Sequence, residues 1–225
     1  MPATGDKPKP RSTAAPLYTV GEEVANAATH ALGAMLSVSA LTLLIVKVVL
    51  TGGGWLDMLS AVVFGGSLVL EYSASTLYHA IQYPPAKQVL RILDHSCIYL
   101  LIAGSYTPFT LGPLLEHGGL PLFCAVWAFA LAGICIEVLA RERQPRWVTV
   151  VIYLAMGWLV LFNLPALIAN VSLPAIALTA AGGVCYTVGT VFYLLKSIKY
   201  MHSVWHLWVI AGSVCQFLAV ILYVM

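Results

Sequence analysis

The sequence predicts an all-α membrane protein: a seven-transmembrane helix bundle with its amino terminus in the cytoplasm and its carboxyl terminus outside. Three observations carry that expectation. Of 225 residues, 60% are hydrophobic and only 9% are charged, against about 25% charged in a soluble domain. The apolar residues fall in runs of about 20, the length at which a helix crosses the hydrocarbon core, and not in the alternating ten-residue segments of a barrel. Basic residues collect on one side of the alternating runs, and positively charged loops stay in the cytoplasm.

Residues 1–17, rich in Pro, Lys, Ser and Thr, hold almost no large apolar residue and cannot bury a core. They are expected to form a disordered cytoplasmic tail, with the helical domain over 18–225. The first apolar run, 26–50, is longer than the 7–15 residues of a signal-peptide core and carries His30 near its start. It is read as a retained span. Six further runs bounded by charge, Pro or Gly follow at 57–81, 90–111, 120–140, 147–168, 173–195 and 203–224. Pro84 and Pro85 are read as terminators of the second helix. The connections, such as Gln82 to Val89 and Arg141 to Arg146, are too short for a second folded domain.

If seven helices alternate, Lys7, Lys9, Arg11, Lys87, Arg91, Arg141, Arg143, Arg146, Lys196 and Lys199 share one side, and only Lys47 lies toward the other. These signals predict a multi-pass membrane protein whose basic loops face the cytoplasm. The net charge of +2 follows from these topology signals and leaves no nucleic-acid footprint, so no nucleic acid is expected as a partner; protein partners are left open. Cys97, Cys124, Cys135, Cys185 and Cys215 all fall within spans, odd in number and without close pairing, so they read as small apolar packing residues.

Three polar clusters interrupt the oily chain: Ser75 with His79, Asp94 with His95, and His202 with His206. Ionisable groups at membrane depth are costly and mark function by default. His79 lies five residues before Pro84, about 7 Å inside its helix end. Asp94 and His95 follow Arg91, and His202 and His206 follow Lys199, so the three clusters share one depth near the cytoplasmic face. Histidines four apart on a helix can turn a nitrogen each to one ion. A catalytic zinc usually takes three protein ligands and leaves one position open; His79 is the best-placed third. Asp94 is then free to orient or deprotonate a water. Ser203 follows His202 where a zinc protease helix has Glu, which disfavours that class.

Glu71, Ser75 and His79 form one inward stripe at intervals of four. Ser75 can hydrogen-bond a water on the metal or a substrate carbonyl, whereas Glu71 stands about 12 Å deeper than His79 with no evident task. Glu23, Asn26 and His30 share a helix face at the same level, and with His95 they are expected to support the ligands, since a ligating histidine needs a partner on its other nitrogen. His117, beside Glu116, reads as an ordinary solvated loop residue, and Trp55, Trp147 and Tyr153 as interfacial and packing aromatics.

Glu23-x-x-Asn26-x-x-x-His30, Ser75-x-x-x-His79 with Asp94 downstream, and His202-x-x-x-His206 resemble the three motifs of the hemolysin III branch of the progestin and adiponectin receptor family. The stretches STLYHA, LDHSCIYLLIAGSYTPF, YLAMGWL and GSVCQFLAVILY agree, and the likeness covers roughly 18–225. The resemblance implies seven helices, a cytoplasmic amino terminus, a multi-pass place in the bacterial plasma (inner) membrane, and Zn2+ held by His79, His202 and His206. It also implies that Asp94 contacts the zinc-bound water, that Ser75 places a hydroxyl beside the site, and, since the superfamily includes alkaline ceramidases, that a lipid amide or ester can be hydrolysed.

Three functions follow in order: a zinc-dependent lipid amide or ester hydrolase or lipid sensor, with membrane lipid as its partner; a non-enzymatic regulator of membrane fluidity or energetics with a structural zinc; and a hemolysin-like pore former. The last ranks third because the outer halves of the helices are almost uniformly apolar, with no polar stripe for conduction.

Overall fold

The structure, a computed structural model, describes residues 18–140, 145–195 and 197–225, and among them every regular element is helical. The tail, with Lys7, Lys9 and Arg11, and the loop residues Arg141, Arg143 and Lys196 lie outside the described residues.

Helix α1 runs Val20–Thr51, six residues earlier than hydropathy alone suggests. Its start is fixed by a reciprocal cap: the Glu22 amide donates to Thr19 Oγ1, and the Glu22 carboxylate accepts from the Thr19 amide at 2.9 Å. It stops at Gly52, whose φ of 68° favours glycine. Helix α2 covers Trp55–Ala80. Helix α3, Pro84–Leu111, begins on the prolines themselves, because in a first turn the missing N–H costs nothing. After a wide turn at Leu115–Gly119 comes α4, Leu120–Ala140.

The fifth expected span is broken into α5 (Arg146–Gly157), a 3-10 turn (Leu159–Asn163) and α6 (Leu164–Asn170). Pro165 is the local reason, since it removes an N–H and its ring would clash with the carbonyl four residues back. The Tyr106 hydroxyl repairs the break: it stands 3.0 and 2.7 Å from the carbonyls of Met156 and Gly157 and accepts from the Val160 amide. Helices α7 (Leu173–Leu194) and α8 (Met201–Tyr223) complete the chain.

Among the described residues, six stretches are long and apolar enough to cross a membrane: Val20–Thr51, Trp55–Ala80, Leu115–Leu139, Trp147–Asn170, Leu173–Leu194 and Met201–Tyr223. Helix α3 is not among them, and it carries Lys87, Arg91 and Asp94. Its length of 28 residues and its packing between α2 and α4 make it part of the same bundle.

Large apolar side chains such as Leu50, Leu139, Phe162 and Leu173 face outward, while Leu44, Phe64, Tyr72, Leu114 and Val220 fill the interior. In a lipid setting helices gain little from mutual hydrophobicity, so close approach at small residues matters. A Cβ on Gly65 would sit 2.8 Å from the Cα of Leu41, and one on Gly33 would sit 2.4 Å from the Tyr72 ring. Those contacts clamp α2 to α1. Helix α8 packs on α7 and returns against α1, which brings the starts of α1, α3 and α8 and the end of α2 to one end of the bundle.

Candidate metal centre

His79 occupies the last turn of α2, and His202 and His206 the first two turns of α8. One nitrogen from each ring lies within 4.8 Å of the others, and the three residues are 0%, 7% and 0% exposed. The rings are mutually inclined by 58°, 64° and 62°, with centroids 4.6–5.2 Å apart, as imidazoles converging on one point would be. A close group of three histidines suits a divalent metal of the borderline class.

The outer nitrogens fix which inner ones are available. Glu23 Oε2 accepts from His79 Nδ1–H at 2.7 Å. His206 Nδ1–H faces the Asn26 carbonyl at 3.2 Å and Thr29 Oγ1 at 3.0 Å, and that hydroxyl gives its own hydrogen to the Ala25 and Asn26 carbonyls. Protonation at Nδ1 leaves the lone pair on Nε2. The Nε2 atoms of His79 and His206 are buried without any hydrogen-bond partner. Buried polar atoms are rarely orphaned, and a metal ion would supply what these two lack.

Support extends outward from Glu23. Its Oε1 accepts from Lys87 Nζ at 2.7 Å; Lys87 also donates to the Tyr78 carbonyl and lies 4.9 Å from the Tyr78 ring centre. Gln82 donates to the His79 carbonyl at 2.7 Å. Asn26 Oδ1 accepts from Ser203 Oγ at 2.5 Å, tying α1 to α8 between the two α8 histidines. Thr29, Lys87 and Ser203 were not among the sequence-derived site residues. Lys87 reads in sequence as a topology signal, and Thr29 shares a helix face with Asn26 three residues before it.

His30 stacks on His206 with centroids 3.5 Å apart and meets Tyr72 edge-on at 5.0 Å, both of its nitrogens buried and unpartnered. Ser75 is buried one turn from His79, with its Oγ unpartnered. Asp94 is buried on α3, outside the close three-histidine group, and acts electrostatically on Glu71 and Tyr78. His95, grouped with the supporting residues on sequence, is placed elsewhere: its Nδ1 lies 3.0 Å from Glu137 Oε1 of α4, and its carbonyl accepts from Tyr153. Neighbouring helical residues point about 100° apart, so Asp94 and His95 serve different faces of α3.

A cavity of about 220 Å³ opens in the bundle interior, walled by apolar side chains such as Leu101, Phe109 and Val209 together with Thr, Tyr and Ser side chains, and with Glu71 its one acidic residue among the described ones. Trp205 joins it to the histidines: this residue lines the cavity, and its ring centre stands 4.8 Å from that of His202 and 5.2 Å from that of His206.

The family described as Haemolysin-III related matches residues 18–217. The chain is 43% identical over 207 residues to the Hemolysin-3 homolog of Bacillus subtilis (strain 168), covering 92% of this chain and 96% of that protein. It is 39% identical over 206 residues to the Hemolysin-3 of Bacillus cereus, covering 92% and 93%. A more distant likeness, 28% over 178 residues (73% of this chain and 70% of the other), connects it to the Monocyte to macrophage differentiation factor of Homo sapiens. With a family match across nearly its whole length and six apolar helices, the chain is a multi-pass membrane protein of the plasma (inner) membrane type and belongs to the haemolysin-III-related family, the hemolysin III branch of the progestin and adiponectin receptors.

Proposed function

We propose that this protein is a zinc-dependent hydrolase of a lipid amide or ester, with its metal held by His79, His202 and His206 just inside the cytoplasmic face. The observation that carries the reading is the pair of buried, unpartnered Nε2 atoms converging with His202 beside an apolar cavity. Helix α3 is taken as the seventh span. Lys87, Arg91 and Lys199 lie at the histidine end of the bundle and Lys47 toward the other, which supports a cytoplasmic amino terminus.

Zinc in such a site polarises a carbonyl and acidifies water toward a pKa of about 7. The chain's residues do the rest. Leu101, Phe109 and Val209 line a space for an acyl chain, which brings the head-group carbonyl toward the histidines past Trp205. Ser75 Oγ–H is available to donate to that carbonyl. Asp94 takes a proton on a carboxylate oxygen as water attacks and returns it to the leaving group. Glu23, backed by Lys87, holds the His79 ring and its proton in place.

A second reading gains support from the cross-ties around the centre, Ser203 to Asn26 and Glu23 to both His79 and Lys87. A metal here also fastens α1, α2 and α8, as a non-enzymatic regulator of the membrane would use it. Purified protein is to be assayed for zinc content and for release of fatty acid from a panel of ceramides and phospholipids. Hydrolysis that disappears in Asp94→Ala while zinc stays bound upholds the enzyme reading. Zinc bound to the wild type with no lipid cleaved refutes it, and absence of zinc in the wild type refutes the metal centre itself.

A further inference from the structure

Glu71 has no task in the account above. It is 1% exposed, its Oε2 has no hydrogen-bond partner, and it lines the interior cavity. No Lys or Arg is found among the described residues that line that cavity. The other acidic group acting on Glu71 is Asp94, of the same sign. Along the inner face of α2, His79 Nε2, Ser75 Oγ and Glu71 Oε2 are each buried and unpartnered, spaced by steps of about 6 Å. This polar track leads from the histidine centre to the apolar space and ends on a carboxyl group that the fold leaves uncompensated.

A buried carboxylate is tolerable when a cation and hydrogen-bond donors meet it. The cavity wall offers no cation, so the carboxyl rests with its proton until a ligand brings one. A fatty carboxylate meets repulsion from Glu71 and Asp94, and an alkanol supplies a donor without charge. A protonated primary amine supplies both, and its alkyl chain matches the aliphatic walls at Leu101 and Val209. We propose that the cavity is a binding site for a long-chain primary amine whose ammonium group is held by Glu71. The site is built from α2 and the cavity wall, independently of metal binding. An amine seated there fills space that the acyl chain of a substrate needs, so a cationic amphiphile acts as a competing, regulatory ligand.

The test is equilibrium binding of n-octylamine, n-octanol, octanoate and octyltrimethylammonium to the purified full-length protein in nanodiscs. For the wild type, octylamine is expected to bind at least about tenfold more tightly than the alcohol or the carboxylate, the scale of a charge-assisted hydrogen bond. Glu71→Gln, close in shape, is expected to lose that preference while keeping its affinity for octanol, and His202→Ala to retain it whatever the fate of the metal. Equal binding of octylamine and octanol by the wild type overturns the proposal, as does an undiminished preference in Glu71→Gln. Should that variant fail to fold, the wild type alone decides: octyltrimethylammonium, which carries charge without an N–H, must bind more weakly than octylamine, and equal affinity refutes a hydrogen-bonded ammonium at Glu71.

Discussion

Replacing Glu23 by glutamine keeps the size of the side chain and an acceptor for the His79 ring, but removes the charge that fixes the ring's proton and answers Lys87. Both contacts are short, 2.7 Å to His79 Nδ1 and 2.7 Å to Lys87 Nζ, and the three side chains are 0%, 8% and 12% exposed, so solvent screens them little. Removing the outer partner of a metal-ligating histidine typically costs 10–100-fold in affinity, or about 1.4–2.8 kcal/mol at about 1.4 kcal/mol per tenfold. Glu23→Gln is therefore expected to weaken zinc binding by that factor without abolishing it, whereas His202→Ala removes a ligand and loses far more. The assay is titration of metal-stripped protein in detergent against a chelator of known affinity. Glu137→Gln is the control: it disturbs the pair between His95 of α3 and Glu137 of α4, which is not part of the three-histidine group, and is expected to leave zinc affinity unchanged. A dissociation constant for Glu23→Gln within about twofold of the wild type would refute the relay from Lys87 through Glu23 to His79.

Lys87→Met takes away the far end of the same relay and is expected to weaken zinc binding less than Glu23→Gln does. Added to Glu23→Gln, it should cost no more than about 0.5 kcal/mol further, because residues acting through one contact are not additive; full additivity in the chelator titration argues against the linkage. Gly33→Val forces a Cβ to 2.4 Å from Tyr72, which is pinned by a 2.7 Å hydrogen bond to Ser213 and by its edge contact with His30. A loss of about 1–3 kcal/mol is expected from overpacking, read as a lower thermal midpoint in detergent, and an unchanged midpoint contradicts the close approach of α1 and α2.

Hydropathy located the helices well because a lipid-facing run must be apolar over its whole length, and the ends observed at Thr51, Leu111, Ala140 and Leu194 lie within a residue of those read from the sequence. It was blind to ends set by hydrogen bonding. The Thr19 cap extends α1 into polar sequence, and the prolines that read as a stop for α2 instead open α3. The break in the fifth span had a visible cause in Pro165, but average hydrophobicity cannot register one residue's missing donor. At the centre, the four-residue interval of His202 and His206 and the shared depth with His79 were legible, since helical spacing fixes direction and height together. Adjacency misled at His95: a neighbour of Asp94 in the chain, it is rotated onto Glu137. Lys87 was hidden for a related reason. A lysine beside a membrane helix has an obvious topological use, and only the fold reveals the carboxylate within its reach.

The close group draws one imidazole from the second helix and two from the last, with α1 braced against both. During synthesis, therefore, the pocket does not exist until α8 has entered the bilayer, and a nascent chain stalled before Met201 holds just one of the three grouped histidines, His79. Occupancy of the proposed centre would thus mark completed insertion, and an ion seated there would clasp the earliest and latest parts of the polypeptide.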